Sequence, residues 1–583
     1  MSYTRKTKII CTLGPASSSE EVIRKLIMEG MDVARLNFSH GSYEDKLAIM
    51  NNVKKVRTEL GRHVGILLDT KGPEIRVGTF KDHAVMLEAG QEFTLTTADI
   101  EGDESRVSIS YKDIANDIQV GTTILLDDGL IEMRVTAIEG ENIVCTVLNG
   151  GKVSDRKGVN LPDVNISMPF LSQKDIDDIK FGIEQGVDFI ALSFTRTAED
   201  VEEVISILRE NGNAQIGLIA KIENNQGVQN LDEIVKVADG VMVARGDMGV
   251  EIPLEEVPVI QKMMIKKVVA AGKQVITATQ MLDSMINNPR PTRAESTDVA
   301  NAIYDGTCAI MLSGETAAGK YPVESLKTMA KIAIRAEQAV DYRGKFKERQ
   351  LSTGNNITNA ISHAAVTTAE DLDVAAIVTV TKSGFTAKML SKHRPSCPII
   401  GCSTDDAVCR RLNLVWGVTP VHALEEKDTE ALFSHALDLA IETGKVAAGE
   451  LTVLTAGIPL GISGTTNLIK VQVAGHVLVK GVGICGGSVT SELCICNSVD
   501  DLRRNYTAGD IIVVSESSKE MLPYIKTAAG VITEDKSEDC HAAIVGLTLG
   551  IPTIIGASHA TQILKKGAVV TMDAKTGIVS SNN

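Results

Sequence analysis

The chain has 583 residues, of which 44% are hydrophobic and 23% are charged, and its formal net charge is −16. This composition is typical of globular protein, the length predicts about three or four domains, and no apolar stretch approaches the roughly 18 residues of a membrane helix. The negative charge opposes nonspecific binding to nucleic acid, so we expect neither a nucleic-acid partner nor a membrane. The chain begins without a signal-peptide pattern and its ten cysteines form no CxxC pair, which predicts a cytoplasmic protein with reduced thiols.

Residues 7–73 and 165–340 carry short runs rich in Val and Ile, which alternate with helical patterns. Within 199–210, for example, apolar side chains recur at helical spacing and form one stripe. Alternation of this kind predicts parallel strand–helix units, and eight units are the count of a (β/α)8, or TIM, barrel. The predicted strands are 7–13, 32–38, 64–69, 188–194, 215–222, 240–245, 273–279 and 308–313.

Residues 74–165 interrupt this barrel between its third strand and the next helix, which we place at 172–186. Apolar and polar residues alternate there in short runs, separated by turn pairs such as Asp128-Gly129 and Glu139-Gly140. The pattern predicts a small inserted β-barrel domain. Because barrel active sites form from the loops after the strands, an insertion at this point can act as a lid.

The rest of the chain predicts two further α/β segments. A polar stretch, 342–356, is interpreted as a linker, and a Gly-rich stretch introduces the last segment. Between them, strands at 375–381, 397–403 and 450–457 alternate with helices at 356–370, 405–415 and 428–443. The predicted domains are the barrel (1–73 and 166–343), the lid (74–165), an α/β domain (344–474) and an additional α/β domain (475–583).

The predicted barrel strands end on ionisable or hydroxyl residues. One polar residue at a strand end is commonly a cap for the next helix, and that interpretation stays open for Thr279 or Ser313 alone. The carboxyl ends of barrel strands meet at one rim, however, and caps do not need Lys, Arg and paired acids together. Six coincident endings therefore predict an active site, at 37–40, 69–71, 221–223, 245–247, 279–280 and 313–315.

The charges at this rim indicate the substrate class. Glu223 and Asp247 are carboxylates suited to sharing one hard cation, Mg2+ or Mn2+. Phosphoryl transfer needs this mixture of groups, because positioned cations and a metal stabilise its transition state. An ion-pair network that only stabilises the barrel is the alternative. The cations predicted to converge on a polyanion are Arg35, Arg76, Lys221 and Arg245.

These residues lie in stretches that together resemble the pyruvate kinase family. The resemblance runs through the barrel, the lid and the following domain, and it implies phosphoenolpyruvate and ADP/ATP as substrates. The stretches are ARLNFSHG (34–41), LLDTKGPEIR (67–76), KGVNLP (157–162), IGLIAKIENNQGV (216–228), VARGDMGVEIP (243–253), TATQMLDSM (277–285), PTRAESTDVANAIYDG (291–306) and IMLSGETAAGKYP (310–322).

The resemblance implies a role for each matching residue. Lys221 would neutralise the transferring phosphoryl group, while Glu223 and Asp247 would hold the divalent metal. Whether Thr279 or a water relay protonates the enolate stays open. The implied catalytic residues are Lys221, Arg35, Arg76 and Thr279. The implied substrate-binding residues are Arg35, Lys221, Ala244, Arg245, Gly246, Asp247 and Thr279.

A nucleotide site and a K+ site are also implied. Glu74 stands where K+-independent relatives have Lys, so we expect K+ dependence. The K+ residues are oxygen donors suited to a hard cation. The implied nucleotide-binding residues are Asn37, His40, Arg76 and Lys157, and the implied K+ residues are Asn37, Ser39, Asp69 and Thr70.

The α/β domain contains a loop that follows a predicted strand and opens a helix, an arrangement that can cradle phosphate. The family uses this loop for a phosphorylated small-molecule activator, and an ordinary strand-to-helix turn is the alternative. The resemblance further implies a homotetramer. The candidate effector residues are Thr381, Lys382, Ser383, Gly384 and Thr386, together with 464–466.

Residues 534–556 resemble the phosphohistidine domain of phosphoenolpyruvate synthase and pyruvate phosphate dikinase. His541 occupies the phosphoryl-carrying position, but Asp539-Cys540 replaces the usual Thr-Ser before it. Because an added carboxylate repels phosphate, we favour a vestigial or structural role over phosphorylation.

Two rival functions remain at this point. A metal-dependent lyase or aldolase that forms pyruvate enolate would use the paired acids, but it gives no reason for the lid or the phosphate clamps. A catalytically silent metabolite-sensing protein would keep the effector loop, and intact Lys221, Glu223 and Asp247 argue against it.

Overall fold

The computed structural model describes residues 5–213, 215–348, 356–426, 428–458, 466–475 and 477–581. The chain divides into two compact units. The first comprises 1–354, 382–396 and 405–422, and the second comprises 355–381, 397–404 and 423–583. Each unit is described by itself below.

The first unit contains a closed barrel of eight parallel strands, which confirms the predicted TIM barrel. All eight predicted strands are present, each a little shorter than its apolar run. In chain order they are Lys8–Thr12, Val33–Asn37, Gly65–Asp69, Phe189–Leu192, Gly217–Ile222, Gly240–Ala244, Gln274–Ala278 and Ala309–Leu312.

Helices surround the barrel, and their starts are well capped. Ser42, Ser172, Thr197 and Thr292 each form a capping box with the acidic residue three positions later, which satisfies exposed backbone N–H groups. The helices of the barrel are Glu20–Met28, Tyr43–Glu59, Gln173–Gln185, Ala198–Glu210, Asn225–Gln229, Leu231–Val237, Arg245–Glu251, Val257–Ala270, Arg293–Asp305, Gly314–Ala317 and Pro322–Glu337, with a 3-10 turn at Asp283–Ile286.

The lid is inserted after the strand Gly65–Asp69, as predicted. It has its own apolar core and one short helix, Ile114–Asp117. Its six-stranded sheet has the order Val159–Asn160, Thr123–Leu126, Ile131–Glu139, Asn142–Val147, Glu92–Thr96 and Arg106–Ser108, and a two-stranded sheet pairs Gly151–Ser154 with Ala84–Leu87.

The predicted linker was partly wrong, because Tyr342–Glu348 forms a helix. The Tyr342 ring packs against Trp416 with centroids 5.3 Å apart, and the Lys6 ammonium stands over the same ring. These contacts order a segment that polarity alone assigned to a linker. The first unit also contains the helices Phe385–Lys392 and Asp406–Leu412 and the strand Val418–His422.

The second unit contains two sheets. The first joins Ile399–Ser403, Ala376–Val380, Leu451–Gly457 and Thr466–Val473, which confirms the three predicted strands and adds an antiparallel fourth. The second sheet has the order Val477–Lys480, Ile578–Ser581, Val569–Asp573, Ser488–Ile495, Ile511–Val514, Gly530–Thr533, Thr553–Ile555 and Val482–Cys485. The helices of this unit are Ile357–Leu372, Thr429–Glu442, Val499–Asn505, Leu522–Ile525, His541–Leu549 and Ala560–Ile563, with a 3-10 turn at Lys519–Met521.

Among the residues that the structure describes, no helix is both long and apolar enough to cross a membrane. All ten cysteines are free thiols, including Cys494 and Cys496, whose Sγ atoms lie 3.4 Å apart.

Candidate active site

The period-2 alternation of the strands points a set of polar side chains into the mouth of the barrel. Apolar residues from the barrel strands, Val33, Leu67, Ala191 and Ile219 among them, form the core inside the barrel. Side chains two positions further along a strand lie on the same face. That parity places Arg35, Asp69, Ser193 and Lys221 above the interior core, at the carboxyl end of the strands.

The Lys221 ammonium is the centre of this cluster. Its Nζ atom lies 3.2 Å from Asp69 Oδ1, 3.0 Å from Glu223 Oε1 and 2.8 Å from Ser193 Oγ. Burial alone would lower the pKa of Lys221, but the Asp69 and Glu223 carboxylates raise it above its ordinary value. Lys221 is therefore a permanent buried cation at the barrel mouth.

Arg35 joins the same cluster through Asp69. Its Nε lies 2.6 Å from Asp69 Oδ2, and its guanidinium also donates to Thr12 Oγ1 at 2.9 Å. Burial would raise the pKa of Asp69, yet Arg35 and Lys221 hold that pKa below its usual value. Asp69 is thus an ionised bridge that fixes two cations side by side.

Glu223 and Asp247 form the carboxylate part of the site. Glu223 is 1% exposed and accepts the Phe194 N–H. Burial raises the pKa of Glu223 to about 7, Lys221 opposes this shift, and the negative charge of Asp247 adds to it. The repulsion that Asp247 exerts on Glu223 fits a site for a divalent cation, since the charge of the ion would relieve it. Among the described residues, no group of three or more His, Cys, Asp or Glu side chains is arranged to hold a metal ion.

The Arg245 side chain, which we expected to face a polyanion, is instead directed at groups of the protein. Its guanidinium lies 2.6 Å from Asp298 and donates to the Thr279 carbonyl at 2.7 Å. The next residue, Gly246, donates its backbone N–H to Thr279 Oγ1 at 2.8 Å. Arg245 therefore holds the ends of two neighbouring strands together, while the backbone at 244–246 and Thr279 remain at the rim. Thr279 and Gln280 have positive φ angles of 67° and 53°, which is local strain of the kind found at functional sites.

A cleft lies between the lid and the barrel. Asp247 lines it from the barrel, and Asp128 and Asn160 line it from the lid. Hydrogen bonds between side chains join the lid to the barrel beside this cleft. Asn160 Nδ2 donates to Glu251 Oε1 at 3.2 Å, and Asn225 Nδ2 donates to Asp163 Oδ1 at 2.8 Å. The lid is thus joined to the barrel beside Asp247, at residues 225 and 251.

The predicted nucleotide residues are more dispersed than the Lys221 cluster. Lys157 pairs with Asp127 of the lid at 2.8 Å and is 39% exposed. Arg76 pairs with Glu74 and donates to the Arg156 carbonyl at 2.6 Å. His40 is exposed beyond the strand Val33–Asn37.

The four predicted K+ residues lie at or just beyond the ends of two adjacent strands, whose last residues, Asn37 and Asp69, are paired in register. Asn37 Oδ1 accepts the Ser39 N–H at 3.0 Å, and Thr70 Oγ1 accepts the Ser193 N–H at 3.2 Å. Both Asp69 oxygens contact cations of the protein. A K+ ion at this point would compete with Arg35 and Lys221 for the same carboxylate.

The candidate effector residues follow the strand Ala376–Val380 and lead into the helix Phe385–Lys392, as predicted. Gly384 caps this helix with a φ of 83°, a conformation that glycine adopts readily. Thr381 belongs to the second unit and 382–386 to the first. Gly464 and Thr465 lie outside the described residues, and Thr466 begins a strand.

His541 is the first residue of the helix His541–Leu549. Its Nδ1 lies 3.1 Å from Ser517 Oγ, and burial together with Lys519 lowers the pKa of its imidazole. The neighbouring Asp539 carboxylate accepts a hydrogen bond from the Ser537 hydroxyl. Asp539 thus stays ionised next to the histidine, and the Ser537 contact holds the pKa of Asp539 below its usual value.

Three family models match the chain. A model described as pyruvate kinase, barrel domain, matches residues 4–326, and one described as pyruvate kinase, alpha/beta domain, matches residues 359–472. A third, described as PEP-utilising enzyme, mobile domain, matches residues 506–577. The first of these alone spans more than half of the chain.

Similar proteins cover nearly the whole length. A pyruvate kinase from Staphylococcus haemolyticus is 49% identical over 576 residues, which is 98% of each chain. A pyruvate kinase from Geobacillus stearothermophilus is 49% identical over 577 residues, covering 99% of this chain and 98% of its own. The crystal structure of a pyruvate kinase from Cryptosporidium parvum superposes with a TM-score of 0.77 at 40% identity, covering 81% of this chain and 96% of its own. The chain therefore belongs to the pyruvate kinase family.

Proposed function

We propose that this enzyme transfers the phosphoryl group of phosphoenolpyruvate to ADP, giving pyruvate and ATP in glycolysis in the cytoplasm. The observation that carries the proposal is the Lys221 ammonium, which meets the Asp69 and Glu223 carboxylates at the mouth of a closed barrel. A fixed cation beside a carboxylate pair is what stabilisation of a transferring phosphoryl group requires.

Lys221 and Arg35 are the groups that would bind the phosphoryl oxygens. Both are held by Asp69, so their positions are set before substrate binds, and a phosphoryl oxygen would replace one of the present partners of the Lys221 ammonium. The backbone at 244–246 and Thr279 would receive the carboxylate of phosphoenolpyruvate.

Glu223 and Asp247 would hold one Mg2+ or Mn2+ ion. When bound, that ion supplies Lewis-acid stabilisation of charge on the phosphoryl and enolate oxygens. The raised pKa of Glu223 and its coupling to Asp247 support this assignment.

The lid residues Lys157 and Arg76 would bind the nucleotide phosphates, with Asn37 and His40 on the barrel side. Lys157 must exchange its Asp127 partner for a phosphate oxygen to do so. The lid also excludes water, which would otherwise compete with ADP for the phosphoryl group.

Protonation of the enolate needs a donor at the rim. The Thr279 hydroxyl donates to the Ala278 carbonyl at 2.6 Å and accepts the Gly246 N–H, so its proton is directed at the protein backbone. This geometry favours a water relay, with Thr279 as an orienting group.

A coupled assay with phosphoenolpyruvate, ADP, Mg2+ and K+ tests the proposed reaction. We expect pyruvate and ATP in equal amounts. Pyruvate formed without ATP would support a lyase, and no turnover would support a metabolite sensor.

We propose that the enzyme depends on K+ for two reasons. Residue 74 is Glu, so the chain lacks the lysine whose positive charge would take the place of the ion. The proposed site also offers oxygen donors, on Asn37, Ser39, Asp69 and Thr70. We expect the rate in K+ buffer to exceed the rate in Na+ buffer at equal ionic strength. Equal rates in the two buffers would contradict the K+ site.

We further propose that a phosphorylated small molecule binds at Thr381, Lys382, Ser383, Gly384 and Thr386, and that the enzyme is a homotetramer. The place of this loop, between the strand Ala376–Val380 and the start of the helix Phe385–Lys392, supports the effector site, because phosphate binds at helix N-termini. We also propose that the chain has four domains: the barrel (1–73 and 166–343), the lid (74–165), an α/β domain (344–474) and an additional α/β domain (475–583).

His541 is expected to remain unphosphorylated, because the ionised Asp539 two residues away repels phosphate. Incubation with phosphoenolpyruvate carrying labelled phosphorus should leave no acid-labile label on the protein. Label that disappears in a His541→Ala variant would contradict a structural role.

A further inference from the structure

Ser193 was not among the predicted site residues, yet it lies in the middle of the Lys221 cluster. It follows the strand Phe189–Leu192 and is 2% exposed. Its Oγ accepts a hydrogen bond from Lys221 Nζ at 2.8 Å and donates to the Thr70 carbonyl at 2.7 Å, with Asp69 Oδ1 at 3.2 Å. The hydroxyl therefore ties the Lys221 ammonium to the end of the neighbouring strand.

The turn that carries Ser193 is strained and closely packed. Phe194, the next residue, has a φ of 57°, which is unusual for a bulky side chain. Its N–H donates to Glu223 Oε2. A Cβ added at Gly72 would lie 2.8 Å from both the Cβ and the carbonyl oxygen of Ser193. One turn, fixed by its neighbours, thus holds both Lys221 and Glu223.

The hydrogen-bond donors of the Lys221 ammonium indicate what the neutral Ser193 hydroxyl contributes. An ammonium group has three N–H donors, and here Ser193, Asp69 and Glu223 take one each. Two of these partners are carboxylates that attract the ammonium strongly. Without the hydroxyl, the attraction of the two carboxylates alone would set the position of the ammonium.

We propose that Ser193 is a positioning residue for Lys221. The Ser193 hydroxyl holds the ammonium where the transferring phosphoryl group passes. Because this hydroxyl donates its proton to the Thr70 carbonyl, its oxygen lone pair is directed at the Lys221 ammonium. This inference rests on the proposed phosphoryl transfer, and it assigns Ser193 no contact with substrate.

The test compares Ser193→Ala and Ser193→Cys with Thr195→Val. Thr195 lies in the same turn and is fully buried, and its hydroxyl donates to the Leu192 carbonyl at 2.9 Å without contacting Lys221. We expect both Ser193 variants to lower kcat about 10- to 100-fold, because a hydrogen bond to a charged group is lost in Ser193→Ala and weakened in Ser193→Cys. The KM for ADP should change less than about twofold, since nucleotide binding does not use this group. Thr195→Val should keep kcat within about twofold while losing some thermal stability.

Several results would overturn the proposal. These are a kcat of either folded Ser193 variant within about twofold of the wild type, an equal loss in Thr195→Val, or a rise in KM at unchanged kcat. If Ser193→Ala does not fold, Ser193→Cys decides, because it keeps the side-chain shape with a weaker hydrogen bond. The wild-type reaction itself tests the proposed function separately.

A second measurement does not depend on turnover. In a crystal structure of Ser193→Cys, Lys221 Nζ should move by more than about 0.5 Å, the tolerance within which site groups must be held. An ammonium that stays in place would contradict the positioning role.

Discussion

Replacing Lys221 by Met is expected to lower kcat by about 10³-fold or more, because the cation that meets the transferring phosphoryl group is removed. The loss should fall on kcat more than on the KM for ADP, since Lys221 acts in the transition state. Steady-state kinetics of the purified variant measure both constants. A loss smaller than about tenfold would contradict the assigned role.

Lys8→Met is the matched control for this substitution. Lys8 is also a buried barrel lysine, but it lies at the opposite end of the strands, where its Nζ donates to the Val418 carbonyl at 2.7 Å. Burial lowers the pKa of Lys8, whereas Lys221 has its pKa raised by two carboxylates. We expect Lys8→Met to affect stability and to keep kcat within about twofold.

Replacing Glu223 by Gln is expected to lower kcat by about 10²- to 10⁴-fold, because one of two carboxylates for the divalent ion is lost. The variant should also bind Mn2+ more weakly than the wild type in the absence of substrate, which a direct titration measures. Glu337→Gln is the control, since Glu337 is equally buried but accepts the backbone N–H groups of Lys6 and Thr7. Unchanged Mn2+ affinity in Glu223→Gln would contradict the metal site.

The pH dependence of Mn2+ binding tests the same carboxylate. Burial raises the pKa of Glu223 to about 7, so the group is protonated and neutral below that pH. Protons then compete with the metal, and the affinity of the free enzyme should fall up to about tenfold per pH unit below 7. Above pH 7 this dependence should flatten, and in Glu223→Gln it should be absent.

The barrel was predictable because its strands are short, buried on both faces and separated by helices. Each apolar run therefore marked one strand, and each strand end marked a point on one rim. The lid strands Ala84–Leu87, Gly151–Ser154 and Val159–Asn160 were missed, since strands of two to four residues are too short to show an alternation of apolar and polar residues. The helix Tyr342–Glu348 was missed because its order depends on Trp416, which lies far along the chain.

The site was predictable in its residue types and less so in its contacts. Sequence places Arg245 at a strand end but does not give the direction of its side chain, which the structure directs to Asp298. Ser193 was missed because it lies inside an apolar run, 188–194, that was taken as one strand. The alternation of side chains along the strand could have identified it. Ser193 lies two positions after Ala191 and so on the same, interior face of the barrel, just as Lys221 lies two positions after Ile219.

The central claim is that Lys221, Glu223 and Asp247 act together on one metal-bound phosphoryl group. A crystal of the enzyme grown with Mn2+ and phosphoenolpyruvate, with the metal located by its anomalous scattering, tests it most directly. We predict one strong Mn2+ peak within about 2.3 Å of a carboxylate oxygen of both Glu223 and Asp247, with a phosphate oxygen in hydrogen-bond reach of Lys221 Nζ. A Mn2+ peak bound to neither carboxylate would contradict the metal site, and a phosphate beyond the reach of Lys221 would contradict the role of its ammonium.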